Sequence, residues 1–410
     1  MRLVIAYGTG QKLLNLAGEA LIVEGKGLPA LFDPKFAVTQ ALRNPVASLP
    51  LVGLVNPLRR VVVLLSDTTR PTGADLYLPL LLRELELGGV PDEHITLLVG
   101  TGAHGVLSDG ELDRLVSPEI RQRYRLLSHD CFDQEDLVKV GTTSRGNDVW
   151  LNRLAAEADL RILTGAVSVH PFAGFGGGRK ALFPGVAGYE TICRNHALLL
   201  QPGAQPGQLV GNPVHEDLME GVAMTGAKFL LNTVVNEAGE IAAVFGGDLE
   251  RAHAAGVRAV QASAVAEVPR LVDTVIASAG GFPYDINLYQ AVKALQNAAR
   301  IVRPGGRIVL YAECREGVGS SKFAEWAARR LSAQELARQL AEQFELGKHK
   351  CFFVSQILEQ AEVYLCSSLD PDLVRSFGLI PISDPGEVPV AGDVVVLPRA
   401  TATLPGVAKA

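Results

Sequence analysis

Short runs of branched apolar residues recur along the chain, and each ends in Gly, Ser or Asp before a longer helical pattern begins. The clearest in the first half are residues 60–67, 94–100 and 160–165. Continuous apolar runs of this length are typical of parallel strands that are buried on both faces. Residues 76–87, between the first two runs, carry an apolar helical pattern closed by Gly88-Gly89. Strand, helix and strand at this spacing predict βαβ units.

A second block of the same kind begins near Leu271. Its predicted strands are residues 274–278, 307–311 and 393–398, and its predicted helices are residues 286–302, 323–330, 333–345 and 353–362. We therefore predict an α/β protein with two α/β domains and mainly parallel sheets. Residues 1–268 would form the N-terminal domain and residues 269–410 a smaller C-terminal domain, with the ligand site in the cleft between them.

Composition and charge narrow the class of protein. The chain has 410 residues, of which 48% are hydrophobic and 20% charged, so it can bury two or three cores. A net charge of −6 argues against binding to nucleic acid or to an anionic membrane. The start MRLVIAYGTG lacks the pattern of a signal peptide, and no apolar stretch reaches the roughly 18 residues of a membrane span. The five cysteines are scattered without a CxxC pair, which favours reduced thiols and a cytoplasmic location.

Polar side chains follow three of the predicted strands. Asp67 and Arg70 follow the first, His104 follows the second, and His170 follows the third. Because ligands bind at the carboxyl ends of parallel strands, these groups are expected to converge on one site. Taken alone, Asp67 is more readily explained as a helix N-cap; taken together, the groups indicate acid–base chemistry.

A glycine-rich segment follows His170. Closely spaced glycines between Gly174 and Gly178 are expected to expose backbone amides to a phosphate or other anion, with Arg179 and Lys180 supplying charge; a flexible hinge is the alternative. The segment is not a Walker A loop, because no hydroxyl follows Lys180, and its spacing does not fit the dinucleotide fingerprint. These residues predict an enzyme acting on a small anion.

Several motifs together resemble the nickel-dependent lactate racemase family, in the same order and over nearly the whole chain. They are Asp67-Thr68-Thr69-Arg70-Pro71, Gly100-Thr101-Gly102-Ala103-His104, His170-Pro171-Phe172-Ala173-Gly174, Lys180, His196 and Tyr289-Gln290-Ala291-Val292-Lys293. Members of that family use a nickel-pincer nucleotide, pyridinium-3-thioamide-5-thiocarboxylic acid mononucleotide, which holds nickel through carbon and sulfur.

The resemblance implies a role for each matching residue. Lys180 would carry the cofactor through a covalent thioamide link, and His196 would bind nickel. His104 and His170 would be the acid–base pair, one on each face of the substrate. The other matches would be the catalytic residues Asp67 and Arg70, the cofactor-binding residue Thr69, and the substrate-binding residues Tyr289, Gln290 and Lys293. The glycine-rich segment adds Gly176, Gly177 and Gly178 as expected cofactor-binding residues.

The implied reaction is the racemisation or epimerisation of a small 2-hydroxy acid by reversible hydride transfer to the nickel-pincer nucleotide. Such a cycle needs two opposed bases, and imidazole, with a pKa of about 6.5, serves as acid or base near neutral pH. The resemblance also implies cofactor-maturation enzymes as partners. Two alternatives stay open: an NAD-dependent oxidoreductase or methyltransferase, suggested by the turn and strand at residues 303–309, and a non-catalytic cofactor- or anion-binding protein.

Overall fold

Two α/β units divide the chain in the computed structural model, which describes residues 1–16, 18–57, 59–68, 71–383 and 392–408. The first unit spans Gly27–Ala262, and the second combines Met1–Lys26 with Ser263–Ala410. Both units are built on mainly parallel sheets, so the predicted fold class is confirmed.

The described residues contain strands in both units. In chain order they are β1 (Arg2–Tyr7), β2 (Gly10–Asn15), β3 (Leu21–Ile22), β4 (Val61–Ser66), β5 (Ile95–Gly100), β6 (Arg125–Ser128), β7 (Leu137–Thr142), β8 (Asp148–Asn152), β9 (Leu160–Ala166), β10 (Val169–His170), β11 (Gly174–Phe175), β12 (Phe229–Val235), β13 (Ile241–Gly247), β14 (Val265–Val268), β15 (Val272–Ser278), β16 (Val302–Tyr311), β17 (Ala361–Cys366), β18 (Ile380–Ile382), β19 (Val394–Leu397) and β20 (Leu404–Val407).

The helices of the same residues complete the framework. They are α1 (Pro34–Arg43), α2 (Leu51–Leu54), α3 (Ala74–Leu87), α4 (Asp109–Leu115), α5 (Pro118–Arg123), α6 (Arg153–Glu157), α7 (Tyr189–Ala197), α8 (Pro213–Ala223), α9 (Leu249–Ala264), α10 (Leu288–Ala299), α11 (Ser321–Ala328), α12 (Ala333–Glu342), α13 (Lys348–Gln360) and α14 (Pro371–Ser376).

The main sheet of the first unit has the strand order β13-β12-β9-β4-β5-β6. Its strands run parallel except β13, which pairs with β12 in the antiparallel sense. The runs predicted at residues 60–67, 94–100 and 160–165 are β4, β5 and β9. Their apolar side chains are buried on both faces, as Val62 and Val63 of β4 illustrate, because helices cover the sheet.

The second unit has an all-parallel sheet of order β18-β17-β16-β15-β19-β3. Its last strand comes from the chain start, since Leu21 and Ile22 pair with Val395 and Val396. The preceding hairpin, β1 with β2, buries Leu14 in the same core as Tyr311. A lone hairpin cannot bury its apolar face, so this hairpin buries that face against the rest of the second unit.

The domain bounds observed therefore differ from those expected from the sequence. Residues 1–26 were assigned to the N-terminal domain, but they are part of the second unit. The second unit then resumes at Ser263, a few residues before the expected boundary at 268/269. The sequence signal missed this because β3 pairs with β19, a strand more than three hundred residues away along the chain.

The glycine-rich segment packs against the carboxyl edge of the first unit's sheet. The Gly176 amide donates to the Ser168 carbonyl (2.7 Å), and the Gly178 amide donates to Asn232 Oδ1 (2.7 Å). The expectation that these two amides are exposed to an anion is therefore not met. The glycines serve close packing instead: a Cβ at Gly177, whose φ is +71°, would lie 2.8 Å from Asn232 Oδ1.

Two further observations bear on the class of protein. No helix among the described residues is long and apolar enough to cross a membrane. All five cysteines are buried as free thiols. Burial raises the pKa of the Cys131 and Cys193 thiols to about 11, so both are protonated near neutral pH.

The assignment of the N-terminal hairpin to the second unit makes a prediction about stability. Leu14→Ala removes a fully buried side chain and should lower the free energy of unfolding by about 2–5 kcal/mol. Leu13→Ala is the matched control, because Leu13 is 51% exposed, and it should change stability by no more than about 0.5 kcal/mol. Urea unfolding of the two variants measures both values, and equal effects would contradict this packing.

The packing of the glycine-rich segment makes a second prediction. Gly178→Ala combines a positive φ of +57° with a Cβ only 2.8 Å from the His253 ring, so it should cost about 2–5 kcal/mol. Gly239→Ala is the control, since Gly239 also has a positive φ (+82°) but nothing within 4 Å of its added Cβ. That variant should lose about 1–2 kcal/mol in the same unfolding assay. A Gly178 variant no less stable than the Gly239 variant would contradict the close approach.

Candidate active site

An aspartate–histidine pair lies at the carboxyl edge of the first unit's sheet. Ser66 of β4 pairs in register with Gly100 of β5, so the residues that follow these strands leave the sheet together. Asp67 Oδ2 lies 2.8 Å from His104 Nδ1. Asp67 is buried, whereas the His104 side chain is 55% exposed. A carboxylate at Nδ1 fixes the ring tautomer and directs Nε2 outward as a proton acceptor.

The loop that carries His104 is tied to the glycine-rich segment. The Thr101 hydroxyl donates to the His129 carbonyl (2.8 Å), and the Gly102 amide donates to the Gly185 carbonyl (2.8 Å). The Gly185 amide in turn donates to the Lys180 carbonyl (3.0 Å). These backbone bonds hold the loop containing His104 and the turn containing Lys180 against each other.

A second histidine lies directly against the lysine. Lys180 Nζ is 2.8 Å from His170 Nε2, and Lys180 is 8% exposed. His170 Nδ1 accepts from the Ala173 amide (3.1 Å), which assigns the proton of the neutral ring to Nε2. That Nε2–H can be shared with Lys180 only if the amine offers its lone pair. The arrangement therefore favours an uncharged, nucleophilic Lys180 amine.

The third histidine is joined to this group by an aromatic ring. The Phe172 ring centroid is 4.7 Å from that of His170 and 5.2 Å from that of His196, and both contacts are edge-on. His196 is in the last turn of α7. Lys180, His170, Phe172 and His196 therefore form one continuous cluster in the first unit.

A buried hydrogen-bond network anchors helix α7, and sequence reasoning missed it. Asp217 of α8 is fully buried and accepts from the Thr143 hydroxyl (2.6 Å) and from the side-chain amides of Asn147 (3.1 Å) and Asn195 (2.9 Å). Asn195 immediately precedes His196, so the network fixes the helix turn from which His196 projects. The available signal was Asp217 itself, an acid among the buried positions of helix α8.

Arg179 does not supply charge to a ligand as expected. Its guanidinium is completely buried, donates to the Ala173 carbonyl (2.9 Å) and lies 3.2 Å from His253 Nε2. No carboxylate of the described residues pairs with it, and burial lowers its pKa to about 9. Burial and the Arg179 charge lower the pKa of His253 to about 3. Arg179 therefore stabilises the buried side of the loop, next to Lys180.

Two predicted site residues, Thr69 and Arg70, lie outside the described residues. Three others lie in the second unit, on or near the first turns of α10. Tyr289 and Lys293 are half-buried and Gln290 is exposed, and the Asn287 side chain caps the helix by accepting from the Gln290 amide (3.0 Å). Burial raises the pKa of Tyr289, which keeps its hydroxyl protonated.

Sequence reasoning also missed a lysine beside Tyr289. Lys350 Nζ lies 3.7 Å from the centroid of the Tyr289 ring and donates to the Tyr289 carbonyl. The predicted helix began at residue 353, whereas α13 begins at Lys348, so Lys350 was not placed on it. The described residues contain no group of three or more His, Cys, Asp or Glu side chains that could hold a metal ion by themselves.

Comparison with known proteins places these features in a family. Residues 7–207 match the model of the lactate racemase N-terminal domain, and residues 268–384 match that of the lactate racemase C-terminal domain. The chain is 34% identical to the lactate racemase of Lactiplantibacillus plantarum over 347 residues, covering 83% of this chain and 81% of that protein. It is 32% identical to the lactate racemase of Thermoanaerobacterium thermosaccharolyticum over 305 residues, covering 74% and 71%.

Solved structures agree with this match. The lactate racemase apoprotein from Thermoanaerobacterium thermosaccharolyticum superposes with a TM-score of 0.92 at 27% identity, covering 99% of this chain and all of that one. A crystal structure of a protein from Thermotoga maritima shares the fold, with a TM-score of 0.70 at 21% identity over 94% of this chain and all of that one. With both family models and two close relatives in agreement, the chain belongs to the lactate racemase family and is an isomerase that acts on a hydroxy acid.

Proposed function

We propose that this protein interconverts the two enantiomers of lactate. The observation that carries the proposal is the pair of imidazoles at one edge of one sheet, each held by its own partner: His104 by Asp67 at 2.8 Å and His170 by Lys180 at 2.8 Å. Racemisation inverts the stereocentre, and an acid–base group on each side of the substrate serves the two enantiomers directly. The names of the relatives in the family identify lactate as the acid to test first.

We further propose that Lys180 carries a nickel-pincer nucleotide and that His196 is its protein ligand to nickel. Support comes from the chemistry of the residues: the contacts of His170 favour an uncharged Lys180 amine, the form that bonds to a carbonyl-type carbon. Imidazole is an ordinary nickel ligand, and a lone histidine suits a metal whose other ligands belong to an organic group. When bound, that group supplies an electron-poor centre that takes the α-hydrogen with its electron pair and returns it.

The residues of the chain then handle the protons. One imidazole, His104 for one enantiomer, would take the hydroxyl proton at Nε2. The buried carboxylate of Asp67 faces Nδ1 of that ring and directs Nε2 outward. His170 would return a proton to the oxygen as an imidazolium, which requires its Nδ1 to exchange the contact with the Ala173 amide for a proton. For the other enantiomer the two histidines would exchange roles.

The contact between Lys180 and His170 gives the cofactor link a second consequence. In the described contacts, the Lys180 amine holds His170 Nε2 at 2.8 Å. A thioamide nitrogen has no available lone pair to accept that proton, so attachment would free the Nε2 position of His170 for contact with the substrate. The unmodified chain would thus lack both the redox group and one of its two acid–base residues.

The dinucleotide alternative conflicts with the second unit. In an open parallel sheet, a dinucleotide binds at the turn after the first strand, here β15. In this protein the β1–β2 hairpin turn lies on that segment: the Phe282 amide donates to the Gly8 carbonyl (2.8 Å), and the Ser278 hydroxyl donates to the Ala6 carbonyl (2.6 Å). The backbone that would meet a pyrophosphate is engaged by the chain itself.

The proposed reaction is tested with lactate deuterated at the α-carbon, using protein produced together with the cofactor-maturation enzymes. The label should be retained in the inverted product, because a hydrogen that leaves with its electron pair does not exchange with water. His104→Asn and His170→Asn should each slow racemisation in both directions by roughly 10²- to 10⁴-fold. Chiral chromatography and mass spectrometry of the lactate measure both results.

His94→Asn is the control for these variants, because His94 lies in the same unit and its ring contacts the Pro57 carbonyl (3.0 Å), away from the site residues. It should racemise lactate at the wild-type rate. Loss of the label to water at the rate of racemisation would instead indicate direct proton abstraction and would overturn the hydride mechanism.

Covalent attachment is tested by intact mass and nickel analysis of the same preparations. Wild-type chain should carry an added mass and nickel, and Lys180→Ala should carry no added mass. The exposed Lys228 provides the matched control, and Lys228→Ala should keep the adduct. An unchanged adduct on the Lys180 variant would place the attachment elsewhere.

A further inference from the structure

Three helices of the second unit line a cavity of about 280 Å³ that the proposed reaction does not use. Its walls come from α11, α12 and α13 and from Phe377, which follows α14. The apolar part of the lining consists mainly of Trp326, Leu336, Val354, Leu358 and Phe377. Protein interiors contain few voids larger than a water molecule, so an opening of this size between packed helices is a candidate ligand site.

Most polar side chains around the cavity are already engaged by the fold. Ser332 accepts from a backbone amide in the first turn of α12 (3.2 Å), and Ser355 donates to the Leu331 carbonyl (2.6 Å). Glu359 accepts from the Ala333 amide at the start of α12 (2.8 Å). These groups cap helix ends and loops, so the main polar group left for a ligand is an arginine.

Arg330 lines the cavity in a backbone conformation that an arginine rarely adopts. Its φ is +52°, in the left-handed region, and it directly follows the residue that ends helix α11. Glycine is the usual residue at such a helix end, because a Cβ is strained there. A strained residue in place of glycine, beside a cavity, indicates a role for its side chain.

The Arg330 guanidinium is held in position without being neutralised. One of its nitrogens donates to the Arg375 carbonyl (3.3 Å), and the group packs against Gly378, where an added Cβ would lie 2.9 Å from Cζ. Among the described residues no carboxylate forms an ion pair with it, whereas the neighbouring Arg329 pairs with Glu325 (2.6 Å). The planar guanidinium presents several N–H donors in the geometry that matches a carboxylate.

We propose that this cavity binds a small amphipathic monocarboxylate, with its hydrocarbon chain between α11, α12 and α13 and its carboxylate on the Arg330 guanidinium. The apolar lining accounts for the chain, and the guanidinium accounts for the single negative charge. The site contains no residue of the candidate active site, so the proposal does not rest on the proposed function. A neutral alcohol with the same chain would fill the apolar part and leave the guanidinium without its anion.

The test is calorimetric titration of the full-length chain with sodium hexanoate and, separately, with 1-hexanol and sodium acetate. The wild type should bind hexanoate most tightly, because only hexanoate offers both the chain and the charge. Arg330→Met should weaken hexanoate binding by about 10- to 100-fold, the range for loss of a charge-assisted hydrogen bond, and should leave 1-hexanol binding unchanged. Arg338→Met is the matched control, since Arg338 is a surface arginine of α12 paired with Glu335 (2.8 Å), and it should bind hexanoate as the wild type does.

Two further variants separate binding from a merely structural role. Arg330→Gly removes the side chain and suits the left-handed backbone. It should therefore lose hexanoate affinity as Arg330→Met does, while its thermal midpoint in ligand-free buffer equals or exceeds that of the wild type. Leu358→Trp fills the cavity, and the folded variant should bind neither hexanoate nor 1-hexanol.

Three results overturn the proposal: no hexanoate binding by the wild type, equal hexanoate affinity in the wild type and Arg330→Met, or hexanoate binding that survives Leu358→Trp. Equal wild-type affinities for hexanoate and 1-hexanol overturn the carboxylate assignment. A lower thermal midpoint of Arg330→Gly together with unchanged hexanoate affinity would assign the arginine to the fold alone.

Discussion

The hydrogen bond from the Gly178 amide to Asn232 Oδ1 holds the candidate active site together. Asn232 is fully buried on β12, and its amide nitrogen donates to the Gly165 carbonyl of the neighbouring strand β9 (3.0 Å). One side chain thus connects two strands of the sheet to the turn that carries Lys180. The Gly178 amide lies 2.7 Å from Asn232 Oδ1, and a Cβ on Gly177 would lie only 2.8 Å from the same oxygen. Close packing therefore requires glycine at position 177. The position of Lys180 follows from this contact, and the position of His170 follows from Lys180.

The two acid–base histidines are held by different means, and this difference matters for their chemistry. The His104 ring is oriented by a buried carboxylate at Nδ1. The His170 ring lies against an amine at Nε2 and backbone amides at Nδ1. In the proposed cycle each histidine must act both as acid and as base. Modification of the Lys180 amine would remove one of the contacts that distinguish His170 from His104.

Much of the site could be predicted because its residues follow strands that are adjacent in the sheet. Asp67 and His104 were expected to converge, and they do, since β4 and β5 pair in register. The Asp217 network could not be predicted in the same way, because its donors come from elements distant in sequence and each is an ordinary polar residue by itself. The N-terminal hairpin was assigned to the first domain for a related reason. It packs against residues distant in the sequence, and such packing leaves no local sequence pattern.

Two buried arginines of the first unit show how a cation can be held without an acid. Among the described residues no carboxylate forms a salt bridge with Arg179 or Arg161. The Arg179 guanidinium donates to the Ala173 carbonyl, and the Arg161 guanidinium donates to the carbonyls of Ala155 and Ala156. A carbonyl can satisfy a guanidinium that stays in place permanently, because the acceptor belongs to the fold and cannot leave. The charge of Arg179 therefore stabilises the loop that carries Lys180.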